Sequence, residues 1–349
     1  MNFVIVGGSV AGLEAAICLT KLGKVTLYEE HKEIGLPVQC AEGWIRFTGV
    51  EPYISGRAIK EADMVIMDRN YNEKSRITIK LNGAVEIVDR ANLEKKMASI
   101  AEKNGAEIIT GVRIEKLSQL LKMHENLDLV VDASGYPSLW CKEFGGKKPC
   151  GIAIQAFTDR DIDKIVVEFH PELNGYFWIF PKAGEGSKVG AGSFVKQVSK
   201  PLRIMLDEMM NKTGLIDGGF IPKSYTARPV ACYRNSPFLR HLKGIPIALV
   251  GDSAGLVDLG GGEGMTKAII SSRVLAECVE RGELEKYEEI YYRRMRTHYL
   301  IANIFAFTRR HPALLRLFGK IGLFDFVLEK LTSQHRKIRV DCLKRTEIG

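Results

Sequence analysis

Glycines and one acidic residue in the first thirty positions have the spacing of a nucleotide-binding turn. A short apolar run ending at Val6 leads into Gly7, Ser9 and Gly12, then into residues with helical spacing, and a second apolar run ends at Glu29. Gly7 permits a tight turn, Gly12 lets the helix pack closely on the sheet, and the helix N-terminus offers N–H groups to a pyrophosphate. Glu29 can accept hydrogen bonds from an adenosine ribose. This order predicts a Rossmann-type dinucleotide site, with Ser9 in place of the usual middle glycine.

A second glycine-rich segment lies far downstream in the chain. An apolar strand over residues 247–250 is followed by Asp252 in a turn of small residues, by glycines at 260–262 and 264, and by a helix from Thr266. Asp252 can accept a hydrogen bond from a ribityl hydroxyl. A helix that starts near Gly264 would direct its positive dipole end at the pyrimidine edge of a flavin. The two segments together predict that the cofactor is FAD.

Two further segments contribute to the same predicted site. A strand over residues 128–131 leads to Ala133 and Gly135, which we expect on the adenine side of the sheet. Arg90 lies in the first turn of a predicted helix and can reach flavin phosphate or ribityl oxygens. Arginine in a first helical turn is more often solvated, so Arg90 is a weaker candidate on its own.

The rest of the chain divides into short strands and a basic helical end. Alternating polar and apolar residues predict strands at 62–68, 76–80, 85–88, 151–157, 165–169, 176–180 and 188–194, which we expect to form an antiparallel sheet. The predicted fold is mixed α/β. It has a discontinuous Rossmann-type FAD-binding domain (1–45, 82–145 and 240–282), an antiparallel-sheet substrate-binding domain (46–81 and 146–239) and a helical C-terminal region (283–349).

Composition limits the class of protein. Hydrophobic residues make up 46% of the 349 residues and charged residues 26%, a balance typical of globular chains. The net charge of +8 suits an acidic partner such as anionic lipid or a phosphorylated substrate. Basic motifs with interleaved aromatic residues are absent from the sequence, so we expect no nucleic-acid partner.

Cysteine and histidine placement argues against a metal site. The seven cysteines include no Cys-x-x-Cys pair, and the seven histidines show no ligand spacing. We therefore expect no metal, reduced cysteines, and histidines on the surface or in loops. With no basic leader before the first strand and no long uncharged apolar run, we expect a cytoplasmic protein.

Several separated motifs resemble the geranylgeranyl reductase family, within the wider class of flavoproteins related to aromatic hydroxylases. Residues 37–43, which contain Cys40, resemble that family's cysteine loop near the flavin. Residues 176–181 resemble its Tyr-x-Trp-x-Phe-Pro motif, followed by Gly-x-Gly at 190–192. Leu259 stands where the family usually carries a proline. The resemblance covers most of the chain and implies FAD-dependent reduction of isoprenoid double bonds, as in the archaeal-type digeranylgeranyl lipid reductases.

The expected chemistry explains an aromatic strand. An isolated alkene is not electrophilic, so hydride transfer from a reduced flavin requires protonation of the other alkene carbon in a dry, apolar site. Alternation directs Tyr176, Trp178 and Phe180 to one face of the strand, and Phe177 and Ile179 to the other. Core packing is the alternative reason for such a row, and the Trp178 N–H is then expected to donate to a backbone carbonyl.

The motifs and the resemblance assign roles to individual residues. Cys40 and Tyr176 are the candidate proton donors, although a free cysteine is usually buried and inert. The predicted substrate-binding residues are Tyr176, Trp178, Phe180 and Pro181. The predicted FAD-binding residues are Gly7, Ser9, Ala11, Gly12, Glu29, Glu30, Cys40, Ala41, Arg90, Ala133, Gly135, Gly251, Asp252, Gly262, Gly264 and Met265.

Other functions stay open at the level of sequence. An FAD-dependent aromatic or quinone monooxygenase of the same fold is one alternative, and a non-catalytic flavin redox carrier is another. The motifs do not name the prenyl carrier (lipid, quinone or diphosphate), the electron donor (ferredoxin, reduced nicotinamide or deazaflavin) or the oligomeric state. Basic clusters between apolar stretches over residues 291–328 suit either an anionic membrane surface or helices packed over the FAD domain.

Overall fold

The computed structural model describes residues 1–46, 49–139, 141, 151–194, 200–213, 226–230 and 238–323, the segment 226–230 as backbone only. Parts of the predicted substrate domain and the end of the predicted C-terminal region therefore lie outside the described residues. The domain division itself stays a prediction. The described strands form three sheets.

The first sheet is the layer that the sequence predicts to bind the nucleotide. Its strand order is β15-β16-β9-β1-β2-β8, and every neighbouring pair is parallel except β15 with β16. The predicted strand–turn–helix–strand order at the N-terminus is confirmed. The strands are β1 (Asn2–Val6), β2 (Lys24–Glu29), β8 (Glu107–Thr110), β9 (Leu129–Asp132), β15 (Leu239–Leu242) and β16 (Ile245–Leu249).

Helices cover this sheet and bury their shared faces. Every residue of α1 (Val10–Leu19) is buried, because the helix packs against the sheet, α2 (Arg90–Lys103) and α5 (Met265–Glu280). Asp89 caps α2 by accepting a hydrogen bond from the Asn92 N–H. A shorter helix, α3 (Leu117–Met123), follows β8.

The second sheet has seven strands in the order β14-β10-β13-β12-β11-β5-β6. It was expected to be wholly antiparallel, and that expectation is wrong at one place, since β11 pairs with β5 in parallel. The two strands are far apart in sequence, so no hairpin constrains their direction. The strands are β5 (Glu61–Met67), β6 (Glu73–Lys80), β10 (Gly151–Thr158), β11 (Ile165–Phe169), β12 (Gly175–Pro181), β13 (Ser187–Ser193) and β14 (Thr226–Val230).

One face of the seven-stranded sheet is covered by α4 (Leu202–Lys212). Phe177 and Ile179 lie in a buried cluster with Met205 and Leu206 of that helix. Side chains alternate along a strand, so Tyr176, Trp178 and Phe180 lie on the opposite face of the sheet. The predicted two-faced pattern of β12 is confirmed.

A small third sheet joins the other two. It consists of β3 (Gly43–Ile45), β7 (Val85–Ile87) and β4 (Arg57–Ala58), all antiparallel. The strand at residues 85–88 was expected in the large antiparallel sheet, and this assignment is wrong. β7 pairs instead with β3 and β4, the short strands that follow the Cys40 loop. It then leads into α2.

The C-terminal part is helical as far as it is described. A 3-10 turn (Leu284–Lys286) leads into α6 (Tyr287–Thr308), and α7 (Pro312–Lys320) follows. Leu315 of α7 is fully buried in a cluster with side chains of β5 and β11. Among the described helices, none is both long and apolar enough to cross a membrane.

Two buried ionisable residues lie near the end of β11, beneath the α4 side of the large sheet. Glu168 is 3% exposed, and one of its carboxylate oxygens has no hydrogen-bond partner among the described residues. Burial raises its pKa to about 7, with Arg76 opposing and Glu73 adding to the rise. His170, in the loop that follows β11, is also buried and stacks on Tyr71 with ring centres 4.4 Å apart.

Glu168→Gln tests the pH dependence that this burial implies. The folded chain retains a proton on Glu168 up to about pH 7, whereas the unfolded chain releases it near its ordinary pKa. Stability from this group is therefore present at low pH and falls by about 3 kcal/mol as pH rises from about 4.5 to 7. Thermal unfolding across pH should show the variant losing part of that fall. Exposed Glu185→Gln is the control, and identical slopes in both variants would contradict the assignment.

Candidate functional site

The turn after β1 is built from contacts that only glycine permits. Gly7 has φ +106°, and a Cβ on it would lie 2.3 Å from the carbonyl oxygen of Ala133. A Cβ on Gly12 would lie 1.8 Å from the Gly7 carbonyl oxygen. The backbone of the glycine turn after β1 is therefore in direct contact with the first turn of α1 and with the end of β9. This geometry brings the predicted residues Gly7, Gly12 and Ala133 together.

Glu29 lies at the end of β2 beside this turn. Its Oε2 accepts a hydrogen bond of 2.7 Å from the Gly8 N–H, and its Oε1 accepts one of 2.9 Å from the His31 N–H. The carboxylate is thus held at the position expected for a ribose ligand. Glu30 instead lies on the surface, where it pairs with Arg113 at 3.5 Å.

A buried ion pair stands at the N-terminus of α1. Glu94 of α2 accepts hydrogen bonds from the Ser9 hydroxyl (3.0 Å) and from the Val10 N–H (3.2 Å). Arg90 donates to the same Glu94 oxygen at 3.0 Å and to the Ser9 hydroxyl at 2.8 Å. Burial by itself would lower the Arg90 pKa. The Glu94 carboxylate and the Cys40 sulfur raise that pKa by more than burial lowers it, so the guanidinium stays charged. Arg90 is therefore fixed beside the helix end that would bind a pyrophosphate.

The second half of the site is the turn after β16. Gly251 has φ +58°, and a Cβ on it would lie 2.9 Å from the Cβ of Ala11 in α1. The Ser253 hydroxyl accepts a hydrogen bond of 2.9 Å from the Gly135 N–H, which ties this turn to the end of β9. Asp252 has an exposed side chain. Desolvation raises its pKa, and Arg90 opposes the rise. The space bordered by Asp252, Gly264 and Tyr176 is called the recess below.

The glycine-rich loop before α5 (residues 258–264), called the flavin loop below for its predicted ligand, borders this recess. α5 begins at Met265 as predicted, with Gly264 at the N-cap position. A Cβ on Gly264 would lie 3.3 Å from an Asp252 carboxylate oxygen, and a Cβ on Gly262 would lie 2.8 Å from the Tyr176 hydroxyl. The Tyr176 hydroxyl donates a hydrogen bond of 2.5 Å to the Gly261 carbonyl. The loop therefore lies between Asp252 and the aromatic strand β12.

A buried lysine holds the ends of this loop together. Lys267 is fully buried and pairs with Asp258 at 2.8 Å and with Glu263. Burial opposes these charges, but Lys267 and His298 lower the pKa of Asp258, and the two carboxylates raise the pKa of Lys267. His298, 5% exposed, lies 3.7 Å from Asp258. His298 is therefore a buried residue of a helix, because α6 packs over the loop, and the expectation that histidines lie on the surface or in loops is wrong at this residue.

The aromatic face of β12 is directed away from α4. A Cβ on Gly190 would lie 2.1 Å from the Trp178 ring, and one on Gly192 would lie 3.5 Å from it, so the Gly-x-Gly of β13 makes room for the indole. Trp178 is 8% exposed. Its N–H has no hydrogen-bond partner among the described residues, so the expected backbone acceptor is wrong. Phe180 packs on Gly43 of the cysteine loop, and Pro181 ends the strand.

The cysteine loop connects both layers. Cys40 is half-buried and its sulfur accepts a hydrogen bond of 3.3 Å from the Glu42 N–H. Glu42 accepts a hydrogen bond of 3.0 Å from the Arg90 N–H and pairs with Lys188 of β13 at 2.6 Å. Ala41 lies between these two anchored residues. The loop is thus in contact with α2 on one side and with the large sheet on the other.

These residues fit a flavin dinucleotide. The glycine contacts of Gly7 and Gly12, the charged Arg90 at the start of α1 and the carboxylate of Asp252 lie along one path to the start of α5. Such a path offers N–H groups and a cation to the pyrophosphate, an acceptor to the ribityl chain and a helix N-terminus to the ring. The individual binding roles stay predictions.

Several residues of the site were missed by reading the sequence. They are charged side chains that pair across the fold, namely Glu42, Glu94, Lys188, Asp258, Glu263 and Lys267. Glu263 and Lys267 had a readable signal, since they are four residues apart at the start of a helix. Glu94 also had such a signal, since it follows Arg90 by four residues in α2. The pairing of Glu42 with Lys188 and that of Asp258 with Lys267 depend on the folded arrangement of the loops, which no local pattern shows.

Comparisons with known proteins agree with this geometry. The chain is 27% identical to a digeranylgeranylglycerophospholipid reductase of Thermoplasma acidophilum, covering 86% of this chain and 85% of the relative. It is 28% identical to digeranylgeranylglycerophospholipid reductase 2 of Methanothermobacter thermautotrophicus, with 81% and 80% covered. No protein-family model matches.

Solved structures show the same fold. A geranylgeranyl bacteriochlorophyll reductase-like protein of Thermoplasma acidophilum superimposes with a TM-score of 0.70 at 22% identity, covering 96% of this chain and 93% of that one. HpxO of Klebsiella pneumoniae, solved with FAD and uric acid, gives a TM-score of 0.64 at 15% identity, with 95% and 96% covered. The predicted α/β flavoprotein fold and the resemblance to geranylgeranyl reductases are confirmed.

Lys267→Met tests the role of the buried ion cluster. The substitution leaves Asp258 and Glu263 buried without their cation, which should cost about 3–5 kcal/mol of stability. The loosened loop should weaken FAD binding by about tenfold or more. Thermal unfolding and FAD fluorescence titration measure the two effects. Lys286→Met, which removes an exposed lysine paired with Glu283, is the control and should change neither; a Lys267→Met protein that matches it would contradict the assignment.

Proposed function

We propose that this chain is an FAD-dependent oxidoreductase that reduces carbon–carbon double bonds of geranylgeranyl-type isoprenoid chains. The observation that carries the proposal is the row Tyr176, Trp178 and Phe180, which is turned away from α4 and toward the flavin loop and the cysteine loop. The relatives named as reductases of digeranylgeranyl lipids support the same substrate class. The chain carrier is a lipid, a quinone or a prenyl diphosphate.

The proposed cofactor site has three parts. The α1 N-terminus and Arg90 hold the pyrophosphate, Glu29 the adenosine ribose and Asp252 the ribityl chain. Gly262, Gly264 and the start of α5 hold the pyrimidine edge. Bound and reduced, FAD supplies hydride to the alkene.

The apolar residues around the recess exclude water. Val167 and Met64, which are in phase with Trp178 on the neighbouring strands, are covered by Leu315 of α7. The partly exposed side chains of the row are Tyr176 and Phe180, and they are the proposed apolar surface. An apolar surface of this kind binds an isoprenoid chain through burial, at roughly 25 cal/mol per Å². It also prevents a reduced flavin from losing its electrons to solvent-borne reactants.

The proton for the second alkene carbon comes from Cys40 or Tyr176. Tyr176 has a raised pKa because of burial and the nearby Asp258, with Arg309 opposing, so its hydroxyl stays protonated. The Tyr176 hydroxyl, however, already donates a hydrogen bond to the Gly261 carbonyl. The Cys40 sulfur accepts a hydrogen bond from the Glu42 N–H and also contacts Arg90, and among the described residues its own proton is not engaged by a backbone carbonyl as that of Tyr176 is. We therefore assign the donor role to Cys40 and a positioning role to Tyr176.

Anaerobic turnover tests the function. The flavin of the purified protein is reduced with dithionite, and geranylgeranyl diphosphate or a geranylgeranyl lipid is added without oxygen. Reoxidation of the flavin with products heavier by whole hydrogen pairs is the expected result. A reduced flavin that ignores every prenyl compound but turns over with oxygen and an aromatic substrate would instead establish the alternative monooxygenase function. Flavin that cycles with neither would indicate a redox carrier.

Cys40→Ala tests the donor assignment in the same assay. Loss of a general acid lowers rates by about 10² to 10⁴, so prenyl-dependent flavin reoxidation should fall by at least about 10². Tyr176→Phe should reduce it less, since the hydroxyl is committed to Gly261. Cys141→Ser, at another half-buried thiol, is the control. Unchanged reduction in Cys40→Ala would remove Cys40 from the mechanism.

An anionic membrane surface is a proposed partner. Leu300, Ile304 and Phe307 of α6 recur at helical spacing and are about half exposed (58%, 49% and 56%). Leu317 and Ile321, in and just after α7, are similarly exposed. Basic side chains accompany this face, as in interfacial helices: Arg293, Arg296, Arg310, Arg316 and Lys320.

Vesicle flotation tests this partner. Wild-type protein should float with phosphatidylglycerol vesicles and not with phosphatidylcholine, and binding should weaken with salt. Combined replacement of Leu300, Ile304 and Phe307 by Ser should abolish flotation, whereas replacing the exposed Met123 of α3 by Ser should not. Absence of wild-type flotation at low salt would exclude the membrane surface as a partner.

A further inference from the structure

Lys188 is a buried cation that the proposed chemistry does not use. It lies in β13, is 2% exposed, and is paired across the sheet with Phe180 of the aromatic row and Phe157 of β10. Its ammonium lies 5.5 Å from the centre of the Phe157 ring. Removing an ammonium from water is costly, so its position demands strong partners.

All of the polar partners of Lys188 belong to the cysteine loop, within the described part of the chain. The ammonium donates a hydrogen bond of 2.8 Å to the Cys40 carbonyl and pairs with the Glu42 carboxylate at 2.6 Å. These contacts join the large sheet to a loop that belongs to the nucleotide-binding layer. Phe180, the neighbour of Lys188 across the sheet, adds an apolar contact with Gly43 of the same loop.

The loop itself is in an unfavourable backbone conformation. Glu42 has φ +68°, a left-handed conformation that is costly for a residue with a side chain. This conformation persists because the carbonyl and the carboxylate of Glu42 both have partners. The Glu42 carbonyl accepts a hydrogen bond of 3.0 Å from the Val88 N–H. The Glu42 carboxylate accepts from the Arg90 N–H and pairs with Lys188. The strained turn directs the Glu42 N–H at the Cys40 sulfur.

The charges around Cys40 are also arranged in pairs. Burial lowers the Lys188 pKa, and Glu42 and the Cys40 sulfur oppose that effect. Arg90, on the other side of the loop, is neutralised by Glu94. Two cations therefore face the thiol and two carboxylates balance them, so these four groups around the loop carry no net charge.

We propose that Lys188 is a positioning residue, which holds the Cys40 thiol at the flavin recess by binding the Cys40 carbonyl and the Glu42 carboxylate. Its role in prenyl reduction rests on the proposed function, whereas its hold on the loop does not. Lys188 contacts the loop backbone and Glu42, so it acts through Cys40 and not on the substrate.

Lys188→Met is the test, with the thiol itself as the reporter. The variant keeps the length and apolar contacts of the stem and removes the ammonium. Alkylation of Cys40 by iodoacetamide is followed by peptide-resolved mass spectrometry, so that other cysteines do not interfere. The high-pH plateau of the rate should rise about tenfold, because the released loop opens more often. Lys182→Met, at the lysine whose ammonium lies 5.9 Å from the same Phe157 ring, is the matched control and should leave the plateau unchanged.

Conservative variants separate positioning from folding. Lys188→Arg should restore a plateau within about threefold of wild type, since a guanidinium can donate to both acceptors. Glu42→Gln should release the loop in the same way, and it decides the question if Lys188→Met fails to fold. A plateau in Lys188→Met or Glu42→Gln within twofold of Lys182→Met overturns the proposal.

Kinetics of the reduced holoenzyme complete the test. Lys188→Met should lower the saturating rate of prenyl-dependent flavin reoxidation by about tenfold or more, with KM and FAD affinity within about threefold of wild type. A released loop with an unchanged rate would overturn the role in the reaction. Failure of the wild-type protein to reduce any prenyl compound would count against the proposed function, and the alkylation contrast would still decide whether Lys188 holds the loop.

Discussion

The close approach of α1 to both β1 and α5 is the contact on which the nucleotide site depends. It requires Gly7 and Gly12 on one side and Gly251 against Ala11 on the other, because a side chain at any of these glycines would overlap its neighbour. A buried pair, Arg273 with Glu14 at 2.5 Å, crosses the same interface. The two cofactor-binding segments, about 240 residues apart in sequence, are therefore brought together by one helix packed on three sides.

Around the recess, loops are held by buried ion pairs. Arg90 with Glu94 holds the start of α1, Lys188 with Glu42 holds the cysteine loop, and Lys267 with two carboxylates holds the flavin loop. A buried pair adds little net stability, but loss of one partner is costly. Such pairs therefore fix the loops in one arrangement while leaving an apolar surface for substrate. At the flavin loop, Lys267 pairs with Asp258, the residue before Leu259, and constrains the loop by charge.

The fold by itself does not choose the reaction. HpxO, which binds uric acid, and the reductase-like protein of Thermoplasma acidophilum share this architecture. In the present chain, the side of the large sheet that faces the flavin loop carries an aromatic row with Trp178 packed over Gly190, beside a thiol held by a strained turn. This surface suits an apolar chain and one proton transfer, which is the basis for the reductase assignment.

The sequence by itself determined the elements that rest on local pattern: the glycine turns, the acid after β2, the two faces of β12 and the boundaries of most strands and helices. Steric and periodic rules act over a few residues, so they can be read without a structure. Only the tertiary structure decided that β11 runs parallel to β5, that His298 lies beside Asp258, and that Lys188 reaches the Cys40 loop. Those contacts join residues separated by 40 to about 150 positions. Their formation depends on how whole layers pack, because the pairing of a buried charge is settled by its neighbours in space and not in sequence.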